Sequence, residues 1–296
     1  MEHSKMKMLS KNEIQKGSNK LKREISRLPF LSSINERVYQ KRLDQYSQSL
    51  PPISEQEQEI VNSLNQNGMF SIHTSELAVP KTLEAIQSAK RLLADPLSCK
   101  GDQDKNWIPA HLLNQQPDLL LWALDERLLD IAENYIKLPI YYLGVEVRQE
   151  FSNGKESGVR QWHIDTEDHR MMKIIIYLND VDLGGGPFEY ISKDLTQQAT
   201  KSLKYHSGLV PDAMMSQAVS PSDWVAAVGE EGTAVFVDPC NIFHRAKPPA
   251  QRDRLSITYH YTSQYPLEFR NPNIFSNQPF IRDRLTERQL KCLIWG

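Results

Sequence analysis

Only three of the 296 residues are cysteine, Cys99, Cys240 and Cys292, and this odd, widely spaced set contains no CxxC pair. A disulfide framework and a thiolate zinc site are therefore not expected, and a reducing cytoplasm is the compartment that fits. The chain has no stretch approaching the roughly 20 apolar residues needed to span a bilayer. Its first residues, MEHSKMKMLSKNEIQKGSNK, contain no apolar signal-peptide core. Neither membrane insertion nor secretion is expected. Charge of one sign is also missing: 35 Lys and Arg stand against 37 Asp and Glu, for a formal net charge of -2. Nothing electrostatic favours nucleic acid or an anionic membrane as partner, so the expected ligand is a small molecule. The cluster Gly184-Gly185-Gly186-Pro187 lacks the lysine and the following helix of a phosphate loop, and it reads as a turn between two strands.

What is present divides the chain in two. Residues 1–50 are polar and mildly basic, and read as a helical N-terminal extension, frayed at its start. Residues 51–296 read as one domain. Its first part carries helical patterns: 53–67 after the Pro51-Pro52 break, 80–93, and 117–136 as one long helix, with a short strand at 69–72. From Leu138 strand-like runs separated by Gly and Pro take over, at 140–151, 173–178, 188–191, 224–228, 233–237 and 255–262. Such a series predicts an α+β protein with a sandwich or jelly-roll core under covering helices. The segment 192–222, rich in Lys, Ser and Gln, reads as a mobile loop over one mouth of that core.

The sharpest local signal is Gln161-Trp162-His163-Ile164-Asp165. On extended backbone residues i and i+2 share a face, so the His163 imidazole and the Asp165 carboxylate are placed to bind one metal ion. An HxD pair alone is common by chance. His244, 81 residues further on and beyond the strand 233–237, supplies a second imidazole. Two imidazoles and one carboxylate form the facial triad that leaves three positions open on iron(II), whereas a structural zinc site is closed by four protein ligands. Ten residues after His244, Arg254, Ser256 and Thr258 share a strand face, where a guanidinium fork and a hydroxyl can meet one carboxylate.

Taken with the runs NGMFSI, IIIYLNDVDLGGGPFEYIS, GTAVFVDPCNIFH and RLSITYHY, these motifs resemble the iron(II)/2-oxoglutarate oxygenase superfamily, and within it the phytanoyl-CoA dioxygenase-like branch, from about Asn67 to Tyr261. Ser192 stands where that branch usually has proline after the Gly-turn strand. The resemblance implies a double-stranded β-helix with Fe(II) held by His163, Asp165 and His244. It implies 2-oxoglutarate and O2 as cosubstrates, the C5 carboxylate of the former on Arg254 and Ser256, and hydroxylation of a small substrate, free or carrier-bound, with release of succinate and carbon dioxide. Related halogenases replace the carboxylate of the triad with Gly or Ala; Asp165 retains it, which argues against halogenation. Desaturation and cyclisation stay open, as does a catalytically silent jelly-roll binding protein.

Other residues are weaker candidates. Tyr177, on the parity of Lys173 and Ile175, is placed to hydrogen-bond the cosubstrate or to pack its ring. Glu146, Arg148 and Glu150 alternate on one strand face, either solvated or lining the pocket; if inward, Arg148 is the best contact for a charged group. Trp162 and Trp224 are candidate pocket walls. His169 and His260 read as non-ligands, His260 as a hydrogen-bonded core histidine.

Overall fold

The computed structural model describes residues 29–268 and 283–293. Residues 1–28 of the N-terminal extension lie outside the described residues; the chain is helical from Pro29 to Tyr46. Ten strands follow: β1 (Met69–His73), β2 (Lys100–Gly101), β3 (Lys105–Trp107), β4 (Ile140–Glu150), β5 (Met172–Tyr177), β6 (Phe188–Tyr190), β7 (Val225–Ala227), β8 (Thr233–Val237), β9 (His244–Ala246) and β10 (Arg254–Ser263). Among the described residues they form a seven-stranded sheet, ordered β1-β8-β5-β10-β4-β3-β2, and a three-stranded sheet, β7-β6-β9, with antiparallel pairing throughout. The two sheets face each other as a jelly roll, the double-stranded β-helix expected from the motifs.

Alternation along the central strands decides which side chains reach the interior. Ile174, Ile176, Ile257, Tyr259, Val145 and Val147 point away from the small sheet into the main core, packed under Leu119, Leu120, Trp122, Leu128 and Leu129 of the covering helices. The opposite parity faces the small sheet and lines a cavity containing Lys173, Tyr177, Arg254, Ser256 and Glu146. Because side chains repeat every two residues, a one-residue slip of β10 would exchange these sets, and the dense apolar face fixes the register. That register sets Ser256 opposite Tyr177 and His260 opposite Lys173 on one side, and Ser256 opposite Arg148 on the other.

The helices form largely where the pattern places them. Glu55–Gln66 starts at a capping box in which the Ser54 hydroxyl accepts from Glu57 N and the Glu57 carboxylate accepts from Ser54 N. The single helix expected over 117–136 is two, Pro117–Ala123 and Glu126–Ile136. Asp125 breaks it, since its carboxylate accepts from Arg127 N and so caps a new helix instead of continuing the old one. The larger correction concerns 192–222. It is not a loop but carries helices Lys193–Ser202 and Asp212–Ala218. Ala199 and Met215 of these helices, with Leu203 and Val219 at their C-terminal ends, turn inward onto Trp162, Ile191 and Phe243, and a helix with one buried stripe reads as polar by composition.

Candidate metal centre and its cavity

His163 lies on no named strand; it is placed by a reciprocal backbone pair with the first residue of β9, His163 N donating to His244 O and His244 N to His163 O, both at 3.0 Å. The two rings lie 4.3 Å apart between centroids. Two residues on, Asp165 N donates to Pro239 O at 2.9 Å, which ties its backbone to the turn preceding β9. The carboxylate then lies 3.7 Å from His163 Nε2 and 4.0 Å from His244 Nε2. One potential ligand atom from each of the three residues falls within 4.8 Å of the others, a spacing that fits a single ion. Each Nδ1 faces a backbone carbonyl, Gln161 O at 2.8 Å and Ile242 O at 3.2 Å. Donation there puts the lone pair on Nε2, the nitrogen turned toward the carboxylate. Burial, reinforced by neighbouring His163, pushes His244 down to about 3, so its imidazole is neutral and ready to ligate at ordinary pH.

The turn between β8 and β9 is braced from beneath. Asp238, fully buried, accepts from the Tyr135 hydroxyl, from Asn241 Nδ2 at 2.7 Å and from Cys240 N at 3.2 Å, with Lys193 Nζ 3.8 Å away. Asp238→Asn keeps the volume but sets an amide against these donors, and is expected to lower stability by about 1–2 kcal/mol, read from the denaturant midpoint.

Asp168 is a second buried acid. Burial pushes it up to about 6, although Ser263 N and His169 N both donate to it at 2.7 Å. In the unfolded chain an aspartate titrates near 3.9, so between about pH 4 and 6 the folded state binds more protons. Stability is therefore expected to fall as pH rises through that window. Denaturation midpoints from pH 4 to 7 should show a flatter profile for Asp168→Asn than for the natural chain.

The triad opens on a cavity of about 320 Å³ between the sheets, small among ligand pockets. Arg254 and Ser256 line it from β10, both almost fully buried. One arm of the guanidinium donates to Gly186 O. Gly186 sits at φ +68°, where a β-carbon would meet Lys247 O at 2.5 Å, so the Gly-rich turn brings a bare backbone against Arg254. The face of Glu146, Arg148 and Glu150 is the inward one. Arg148 pairs with Glu146, while Glu150 forms a buried pair with Arg160 at 3.1 Å. Burial would raise the Glu146 pKa, but Arg148 and then His260 outweigh it and hold the group ionised.

Three sequence expectations are corrected here. Tyr177 lines the cavity, yet its hydroxyl donates to Ala227 O at 2.7 Å and accepts from Phe188 N at 3.0 Å. It has no proton left for a cosubstrate and instead fixes β6, whose Phe188 ring stacks on His244. Trp162 and Trp224 are not pocket walls. They meet edge to face at 5.0 Å in the cluster under the two added helices and flank the Arg245 guanidinium, which pairs with Glu189 at 2.6 Å. His260 faces the cavity with its Nε2 3.7 Å from Glu146, too far to hydrogen-bond, so it is not the satisfied core histidine expected. His169 stacks on Tyr39, away from the triad.

Two cavity residues escaped the sequence reading. Lys173 Nζ donates to Asp165 Oδ2 at 2.5 Å, and Glu167 lies buried on the same wall. The parity that singled out Tyr177 also places Lys173 inward, and an HxD followed two residues later by a glutamate was the available signal for the other.

No protein-family model matches the sequence, and no curated protein matches it. The fold is found among solved structures. SnoK, a non-haem α-ketoglutarate-dependent carbocyclase from nogalamycin biosynthesis, superposes with a TM-score of 0.51 at 14% identity, covering 79% of this chain and 91% of that one. HygX from Streptomyces hygroscopicus, with nickel and 2-oxoglutarate bound, gives 0.49 at 15% identity over 78% of this chain and 94% of that one. The epimerase SnoN, in complex with Fe3+, α-ketoglutarate and a nogalamycin compound, gives 0.47 at 15% over 75% and 90%. At 14% identity the likeness to SnoK shows the fold alone, and the chemistry has to be argued from the side chains.

The cysteines Cys99, Cys240 and Cys292 are all unpaired thiols. Among the described residues no helix is long and apolar enough to cross a membrane.

Proposed function

We propose that this chain is an Fe(II)- and 2-oxoglutarate-dependent oxygenase that oxidises a C–H bond of a small, polar molecule, hydroxylation being the outcome expected by default. The observation that carries this reading is one cavity holding both sets of residues: a carboxylate and two imidazoles within 4.8 Å of one another, and a buried guanidinium beside a serine on β10 of the other sheet. Either set alone has ordinary explanations; both lining one small cavity match a metal ion and a dicarboxylate bound side by side.

His163, Asp165 and His244 would hold the ion. Iron(II) there would activate O2 as the oxidant, two electrons coming from 2-oxoglutarate as it goes to succinate and carbon dioxide and two from the substrate. Arg254 and Ser256 bind and orient the far carboxylate of 2-oxoglutarate, and the low-dielectric wall around them strengthens that contact. Glu146, Arg148 and His260 line the cavity with groups of both signs, which suits a polar substrate better than an acyl chain. Zinc-dependent hydrolysis on the same triad leaves Arg254 without a purpose.

The rival is a binding protein that keeps the fold and performs no oxidation. Anaerobic addition of iron(II) and then 2-oxoglutarate separates the two. The oxygenase is expected to develop the visible absorption of an iron–keto-acid chelate and to release succinate on admission of air; a protein that develops neither is the silent binder.

A further inference from the structure

We propose that Lys173 keeps Asp165 a one-oxygen metal ligand and thereby preserves the third open position on the ion, an inference that rests on reading His163, Asp165 and His244 as a metal centre. An octahedral ion bound by two imidazoles and one carboxylate oxygen has three positions left. A chelating 2-oxoglutarate takes two of them, which leaves one for oxygen. A carboxylate also binds through both oxygens where nothing prevents it. If Asp165 did so here, the cosubstrate would fill the coordination sphere and oxygen would have nowhere to go.

The geometry supplies what prevents it. Lys173 Nζ donates to Asp165 Oδ2 at 2.5 Å, the oxygen that lies 4.0 Å from His244 Nε2, while Oδ1 is the oxygen 3.7 Å from His163 Nε2. The lysine comes from β5, opposite His260 of β10 and beside Val237 of β8, so its stem starts from the centre of the seven-stranded sheet. The groups facing the ammonium are Asp165, Glu167 and Glu146, with His260 across the strand pair. Two of those three carboxylates are not triad members. Their charges would still favour the ammonium there if a divalent ion arrived at Asp165. The backbone N–H of Asp165 is anchored on Pro239 O, which fixes the point from which its side chain reaches the lysine. Lys173 is thus a positioning residue, acting on the metal through Asp165.

Nitric oxide, which binds iron(II) at the position oxygen would take, reads the proposal directly. The full chain is loaded anaerobically with iron(II), exposed to nitric oxide with and without saturating 2-oxoglutarate, and the iron–nitrosyl signal is recorded by electron paramagnetic resonance. The natural chain is expected to give the signal in both conditions. Lys173→Met is expected to give it without 2-oxoglutarate and lose most of it when the cosubstrate is present; Lys173→Arg, which restores a charged donor to Oδ2, should retain it. Equal signals from Lys173→Met in the two conditions would overturn the proposal. So would a Lys173→Met protein of natural circular dichroism that binds no iron, since the lysine would then build the site and not limit its coordination. Should the methionine variant fail to fold, Lys173→Gln carries the same comparison, with a neutral donor expected to give an intermediate loss and an undiminished signal counting against the idea. No nitrosyl signal from the natural chain in either condition would instead defeat the metal-centre reading.

Discussion

Asp165→Ala is expected to abolish succinate formation from 2-oxoglutarate, and His244→Ala to do the same. Loss of a group that merely supports a ligand typically costs 10- to 100-fold in metal affinity or activity, so removal of a ligand itself should exceed about 100-fold. The two variants also control for each other. Asp165→Ala removes the charge that Lys173 and both imidazoles face, and so leaves an ammonium against a vacant carboxylate position. His244→Ala deletes a ring on which Phe188 stacks but leaves the charges untouched. If both bind iron poorly while unfolding cooperatively near the natural midpoint, the defect lies in coordination. Undiminished turnover in either variant would remove that residue from the triad.

Arg254→Ala is expected to raise the KM for 2-oxoglutarate by about 30-fold or more while iron binding persists. Deleting one member of a buried, hydrogen-bonded charge pair costs on the order of 2–5 kcal/mol, and 1.4 kcal/mol is a factor of ten. Arg254 is almost fully buried, and burial lowers its pKa from the ordinary arginine value while Glu150 opposes that shift; a guanidinium stays protonated in proteins. It therefore presents a fixed positive charge to the cavity. Arg254→Lys keeps the charge but not the fork, and should recover only part of the loss. An unchanged KM in Arg254→Ala, measured by succinate release across a 2-oxoglutarate titration, would show that the cosubstrate is anchored elsewhere.

Much of this site was legible before any coordinates because its chemistry repeats with the period of a strand. Arg254, Ser256, Thr258 and His260 follow one another at every second position, and a single inward residue fixes the direction of all four. Glu146 and Arg148 needed one more fact, which face of β4 is covered, and the alternation alone is symmetric on that point. Helix breaks were harder. Nothing in the apolar pattern of 117–136 marks Asp125, because the break is a local hydrogen bond from Arg127 N that competes with the helix. The segment 192–222 misled for the opposite reason: its helices bury only a narrow stripe, so polar composition concealed real packing. Trp162 was misplaced because its neighbour His163 points into the cavity. Successive side chains on extended backbone leave opposite faces, which sends the indole to the Arg245 cluster.

The mutual backbone pair of His163 and His244 has a bearing on the order of assembly. Two donors of the centre, separated by 81 residues of chain, are spaced by main-chain geometry, so their separation is a property of sheet closure more than of side-chain choice. Before His163 pairs with β9 the imidazoles wander independently, and bringing them together carries the entropy of closing a long loop. The seat proposed for a cation is therefore complete only once that pair has closed. An ion bound there would clasp His163 to β9 and favour the folded chain by mass action in proportion to its own concentration.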